Sequence, residues 1–312
     1  MKTIRIGTRG SRLALVQAEE IRARLAAQFP DNSFEIVVIK TTGDRILDAP
    51  LSKIGDKGLF TKELEQELLS GGIDCAVHSM KDMPTRLPAG LCIAAVTERL
   101  DPRDVLVSKN GKKLTDFRKG DTIATSSLRR RAQIMALVPG INIVDMRGNI
   151  VTRMEKMQAS GDIDGMILAH AGISRLGMND AVTEIISPEI ILPPVGQAAL
   201  AIECRADDPL LSGVFRSLNH DDTEKAIMCE RAFLSRLEGG CQVPIAGLCQ
   251  SRGPAIHFTG LVASLDGSLI FRDHMSGRAD DPSGTGIRMA EMLLEAGARK
   301  VLDEIYGKTP QY

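Results

Sequence analysis

Three arginines in a row follow two serines in TSSLRRRAQ. The apolar residues beside them (Leu128, Ala132, Met135) share a helical face, so the run opens a helix capped by Ser126 or Ser127. A cation at that end opposes the helix dipole by roughly 0.3–1 kcal/mol, whereas an anion bound to the free N–H groups reverses the sign. From Ser127 to Arg153 five arginines (Arg129, Arg130, Arg131, Arg147, Arg153) stand against one acid, Asp145, in a chain of formal net charge −1. Arg147 falls at the C-terminal end of a strand and Arg153 in the next helix, at the sheet edge where α/β folds take ligands. Two readings compete: a polyanion site, or a solvated basic face paired with acids elsewhere in the chain.

A second basic set occupies equivalent places earlier in the chain. Arg9 and Ser11 lie between a first strand and its helix, Lys53 and Lys57 in the loop KIGDKGLF, and Lys81 just past a strand ending at His78. Each alone reads as surface, and only their shared location at strand ends marks them. HSMKDMP sets Asp82 beside Lys81, and a carboxylate among cations stays ionised. Such a group can steady a developing cation or pass a proton to a leaving amine; the alternative is a turn or cap acid. Cys241 follows Gly239-Gly240 in a loop ending at Pro244, open to close approach. A helix C-terminus does not favour thiolate, so a nucleophilic Cys241 needs cations from elsewhere. Cys75, Cys92 and Cys204 in strand runs, and Cys229 on a helix face, read as core. The five histidines show no metal-ligand spacing, and His78 reads as a buried strand residue.

Composition narrows the classes. At about 150 residues per domain, 312 residues make two or three domains. A balance of 39 Lys+Arg against 40 Asp+Glu argues against wholesale nucleic-acid binding, and 3% aromatics supply a poor base-stacking platform. No apolar run approaches the ~20 residues of a membrane span, and the N-terminus lacks the apolar core of a signal peptide. Six cysteines without a CxxC read as free thiols in a cytoplasmic protein.

The elements that must position these residues alternate between strand and helix. Thr3–Gly7, Phe34–Ile39, Asp74–His78 and Leu91–Val96 read as strands. Between them lie a helix over 11–28 (Leu15, Ala18, Ile21, Leu25 on one face) and one capped by Thr61. A second unit follows with strands Thr122–Thr125, Ile141–Met146 and Ile163–Ala169, and helices after Ser127 and Asn149. This alternation predicts mostly parallel sheets with helices on both faces. Ala198–Glu203 reads as a strand returning to the first sheet, giving two α/β lobes with a hinged cleft. From Asn219 a helix, three strand-like runs with an Asp266-Gly267 hairpin turn, and a last helix over 287–306 predict a small α+β domain.

The segments TRGSRLAL, KIGDKGLF, AVHSMKDMPT, ERLDPRDV, TSSLRRRAQ, MRGNIVTR, LPPVGQAALAIECR and ERAFLSRLEGGCQVPIAG together resemble the porphobilinogen deaminase (hydroxymethylbilane synthase) family, nearly end to end. The resemblance implies two lobes of type II periplasmic-binding-protein topology plus a C-terminal domain. Domain 1 would comprise 1–98 and 197–217, domain 2 residues 99–196, and domain 3 residues 218–312. It implies a cytoplasmic, monomeric transferase of tetrapyrrole and heme biosynthesis, with porphobilinogen as substrate and neither nucleic acid, membrane nor metal as partner. Four porphobilinogens are joined head to tail with loss of ammonia on a dipyrromethane cofactor attached to Cys241 by a thioether, giving hydroxymethylbilane.

By the same resemblance Asp82 is catalytic, assisting loss of ammonia and stabilising the cation that forms. Asp82, Lys81, Ser127, Arg129, Arg130 and Arg147 hold the cofactor; Arg9, Ser11, Arg147, Arg153, Arg175, Lys53, Lys57 and Phe60 hold substrate, with Phe60 covering the reacting site. Asp44 also matches a family position. Arg12, Thr42, Ala124 and Ala198 depart from the family pattern, the last two standing where glycine is usual. The rival readings are a solute-binding protein of the same two-lobed fold, which normally carries a secretion signal, and a cysteine hydrolase, for which Cys241 lacks a persuasive histidine partner.

Overall fold

The computed structural model describes residues 3–45, 60–239 and 243–307. The chain divides into two compact units, the first made of Met1–Ala49, Ile54–Leu100 and Gly196–Glu224. Elements are labelled in chain order.

In the first unit, β1 (Thr3–Arg9), α1 (Arg12–Gln28) and β2 (Ser33–Ile39) are followed by the short α2 (Thr42–Arg45), α3 (Lys62–Ser70), β3 (Cys75–Ser79) and β4 (Leu91–Val96). After the excursion through the second unit, β10 (Leu200–Arg205) and α7 (Pro209–Arg216) complete it. The sheet order is β2-β1-β3-β10-β4. The expected return of the strand after Ala198 is observed, and it enters between β3 and β4. The sheet is mostly parallel, as expected, with one exception: β10 runs antiparallel to both its neighbours, because it comes back from the far end of the sheet.

Both faces are covered. Ala18, Ile21 and Leu25 of α1 and Phe215 of α7 pack with Ile4, Ile6 and Ile202 on one side. Leu64 and Leu68 of α3 pack with Ile73 and Ala76 on the other. Ser11 caps α1 by accepting from the Ala14 N–H. The buried face of α1 uses Ala14 rather than Leu15, which is 36% exposed. Thr61 precedes α3 without capping it, since its backbone is already helical and its hydroxyl makes no cap bond.

The second unit holds β5 (Asp104–Ser108), β6 (Thr122–Ala124), α4 (Leu128–Leu137), β7 (Asn142–Val144), α5 (Ile150–Ala159), β8 (Gly165–Ala169), α6 (His170–Arg175) and β9 (Glu184–Ile185). Its sheet, β7-β6-β8-β5-β9, repeats the pattern of the first: parallel on one side, with an antiparallel strand, β5, next to last. Ser127 caps α4 and Asn149 caps α5, as the sequence predicts.

The same unit includes most of α8 (Asp221–Arg236) and the antiparallel sheet β11 (Ile245–Arg252), β12 (Ala255–Ala263) and β13 (Ile270–Arg278). Its helices α9 (Pro282–Leu293) and α10 (Arg299–Tyr306) replace the single last helix expected. The break falls at Leu294–Ala298, where Gly297 takes φ +117° and its missing side chain leaves room for Phe271. The hairpin tip at Asp266-Gly267 sits against α4 so closely that a Cβ on Gly267 would lie 2.2 Å from the Ala132 carbonyl oxygen.

Candidate active site

In the first unit the candidate acid stands at the end of a central strand. β3 runs into a single 3-10 turn, Met80–Asp82. Met80 and Met83 are buried and anchor the turn, which leaves Lys81 half-buried and Asp82 exposed. A neighbouring stretch of backbone fixes this turn. The Met80 N–H donates to the Ala199 carbonyl at 2.9 Å, and Lys81 Nζ donates to Oε1 of the buried Gln197 at 3.3 Å. Gly196 has φ +78°, and a Cβ there would lie 2.9 Å from the Lys81 nitrogen. Ala198 shares that left-handed backbone at φ 78° without being glycine. Gln17 of α1 bonds the Ser79 hydroxyl at 3.0 Å, tying the end of β3 to the first helix.

Arg9 ends β1, and its guanidinium carbon lies 4.0 Å from the centre of the Phe60 ring, a cation–π contact. Phe60 therefore covers Arg9. Lys53, Lys57, Cys241 and the side chain of Asp44 lie outside the described residues.

In the second unit two of the helix-start arginines already have an anion. Arg129 donates to Asp104 Oδ2 at 2.8 Å and to the Leu192 carbonyl at 2.6 Å. Arg130 grips both oxygens of Asp104, at 3.1 and 2.7 Å, and donates to the Ile167 carbonyl at 3.0 Å. Asp104 is wholly buried. An internal acid, Asp104 of β5, thus takes the place of the external anion expected at these two arginines and offsets one of their two charges, leaving the trio one positive charge in surplus. Burial pulls the Arg129 pKa down to about 10 despite Asp104. Arg131 points to solvent.

Arg147 and Arg153 behave differently. Nη1 of Arg147 and Nε of Arg153 are buried and have no hydrogen-bond partner. Burial, then the nearby charge of Arg130, brings the Arg153 pKa down to about 10, so it remains charged at neutral pH. Buried donors of this kind are rare unless an acceptor arrives from outside, and a carboxylate matches a guanidinium fork in charge and geometry. Arg175 closes α6.

The sequence reading missed Asp104 and Gln197. Asp104 had a visible signal: an acid opening the apolar strand DVLVS needs a buried cation, and the local arginine excess from Ser127 to Arg153 supplies one. Gln197 had none, since its role depends on two segments 116 residues apart coming together.

Comparison with known proteins places this geometry. Residues 4–212 match the family model described as porphobilinogen deaminase, dipyromethane cofactor binding domain, and residues 225–295 match its C-terminal domain. The porphobilinogen deaminase of Desulfitobacterium hafniense is 50% identical over 310 residues, covering 99% of each chain. That of Carboxydothermus hydrogenoformans is 49% identical over 97% of each chain, and that of Bacillus subtilis 49% identical over 98% of this chain and 97% of its own. With both models matched and half the residues shared end to end, the exposed acid, the donors that lack acceptors and the doubled sheet are those of a member of the porphobilinogen deaminase family.

Proposed function

We propose that this chain condenses four porphobilinogens head to tail, releasing ammonia, and delivers the linear tetrapyrrole hydroxymethylbilane. The observation that carries the reading is a pair of buried donors without acceptors, Nη1 of Arg147 and Nε of Arg153, the latter near the charge of Arg130 in the charge-surplus trio of Arg129, Arg130 and Asp104. Carboxylates are what this set accepts, and they are what every pyrrole of the substrate and of a dipyrromethane carries.

A dipyrromethane would be joined to Cys241, and the donors of Arg147, Arg129, Arg130, Ser127 and Lys81 suit its acetates and propionates in charge. When bound, it supplies the pyrrole carbon on which the chain starts. Arg9, Ser11, Arg153 and Arg175, with Lys53, Lys57 and Phe60, hold and cover incoming substrate. Asp82, exposed on its turn, accepts from the substrate pyrrole N–H, assists departure of ammonia and stabilises the cation left behind. Lys81 beside it meets a substrate carboxylate. The arginines stay charged throughout, so binding survives each addition. We further read the protein as a cytoplasmic monomer of three domains (1–98 with 197–217, 99–196, 218–312), a division supported by its three separate sheets.

Intact-mass analysis of the untreated protein tests this reading. A mass above that of the sequence by two linked pyrroles, lost in Cys241→Ser together with tetrapyrrole production, is expected. A bare mass in an active preparation opposes it. Asp82→Asn should retain the fold and the added mass while turnover falls about 10²–10⁴-fold; near-normal turnover removes Asp82 from the chemistry.

A further inference from the structure

We propose that Cys92 and Cys204 are an oxidisable thiol pair that closes a reversible cross-strand disulfide on meeting a small-molecule disulfide such as oxidised glutathione. β4 and β10 are antiparallel, and their register sets Cys204 directly opposite Cys92. Directly opposed residues have Cα atoms about 4.5–5.5 Å apart, within the ~4.4–6.8 Å that a disulfide spans. The two sulfurs already touch, Sγ to Sγ at 3.8 Å.

Exposure assigns the roles. Cys92 is half-buried on the edge strand of its sheet, whereas Cys204 is wholly buried one strand inward. The Cys92 thiolate attacks one sulfur of the small disulfide, whose S–S bond breaks and releases one thiol. Cys204 then gives its proton to solvent and attacks the Cys92 sulfur, expelling the second thiol. The protein loses two protons and two electrons; the small disulfide gains them and becomes two thiols. Burial, reinforced by Cys92, pushes the Cys204 thiol up to about 12, which keeps it from reacting first and makes the second step slow. The adjacent Arg205 favours its thiolate when that step comes.

The protein carries its own control. Cys229 and Cys249 are also in thiol–thiol contact, but both are buried and neither offers a way in. Cys75 lies opposite Cys204 on its other side, on β3, and is buried as well.

The test uses the full-length holoenzyme, incubated with oxidised glutathione in mildly alkaline buffer, alkylated in denaturant, digested and mapped by mass. A Cys92–Cys204 linked peptide that dithiothreitol removes is expected, with Cys229 and Cys249 unlinked. Cys204→Ser should stop at one glutathione on Cys92, and Cys92→Ser should leave Cys204 unmodified. The proposal is overturned by an unreacted Cys92 in the parent protein, by a glutathione adduct there that never proceeds to the link, by a Cys75–Cys204 link, or by modification of Cys204 in Cys92→Ser.

Discussion

Asp104 is shared by two arginines whose side chains are almost as buried as its own. Removing one partner of such a set leaves an uncompensated charge in a poorly solvated place, at a cost of about 3–5 kcal/mol. Asp104→Asn should therefore lower stability by that order in denaturant unfolding. Arg153→Leu should do the reverse, because it deletes a buried cation whose Nε lacks an acceptor. Its unfolding midpoint should hold or rise while substrate binding is lost; a large fall in stability would assign Arg153 to the fold. A third buried group titrates. Burial, then the neighbouring carboxylate of Glu203, raises the Glu65 pKa above its ordinary value, against the opposing pull of Thr61 and His78. The folded state thus holds this proton more tightly than the unfolded chain. The resulting stability is complete below the unfolded pKa, about 4.3, and disappears as pH rises through the folded value. Glu65→Gln should gain in melting temperature over the parent as pH is raised from acid to neutral; a difference constant with pH would refute this.

At the scale of elements, the Met80–Asp82 turn depends on the stretch Gly196–Ala199 laid against it. Ala198 holds a left-handed backbone that costs an L-residue about 1–2 kcal/mol. Ala198→Gly should raise stability by about 1 kcal/mol, the strain relief exceeding the added freedom of the unfolded chain, as read by thermal melting. A decrease would mean that its methyl contacts outweigh the strain. The sequence made some elements plain and hid others for physical reasons. Caps at Ser127 and Asn149 were legible because a side-chain oxygen three residues before an N–H is local chemistry. The break at Gly297 lay inside an unbroken helical pattern, and only the bulk of Phe271 below shows why a glycine stands there. Arg129 and Arg130 were legible as a cluster but their counter-charge was not, because Asp104 arrives from a strand 25 residues earlier. Asp82 was legible through its motif; its support by Gln197 was not.

The whole molecule repeats one strand pattern twice and adds a third, antiparallel sheet. The doubling was readable from the alternation of strands and helices. The direction of the inner antiparallel strands was not, since alternation carries no information on where a chain re-enters a sheet. That re-entry makes the first sheet dependent on residues beyond the second. A fragment ending at Val195 lacks β10, which hydrogen-bonds both β3 and β4. It leaves β4 without its sheet neighbour and Cys75, Val77 and Ala94 without Leu200 and Ile202 in their core. The fragment should show the dispersed amide spectrum of the second sheet alone at most; native-like dispersion for residues 3–96 would contradict this dependence.

The same re-entry sets an order on synthesis. The ribosome releases β4 about a hundred residues before β10, and at about 5–20 residues per second the nascent first lobe waits roughly 5–20 s for its missing strand. During that interval the strands of the second sheet, β5 to β9, emerge as an uninterrupted run. The lobe that begins the polypeptide is consequently the one that finishes folding later, and its half-built sheet is what a chaperone would meet first.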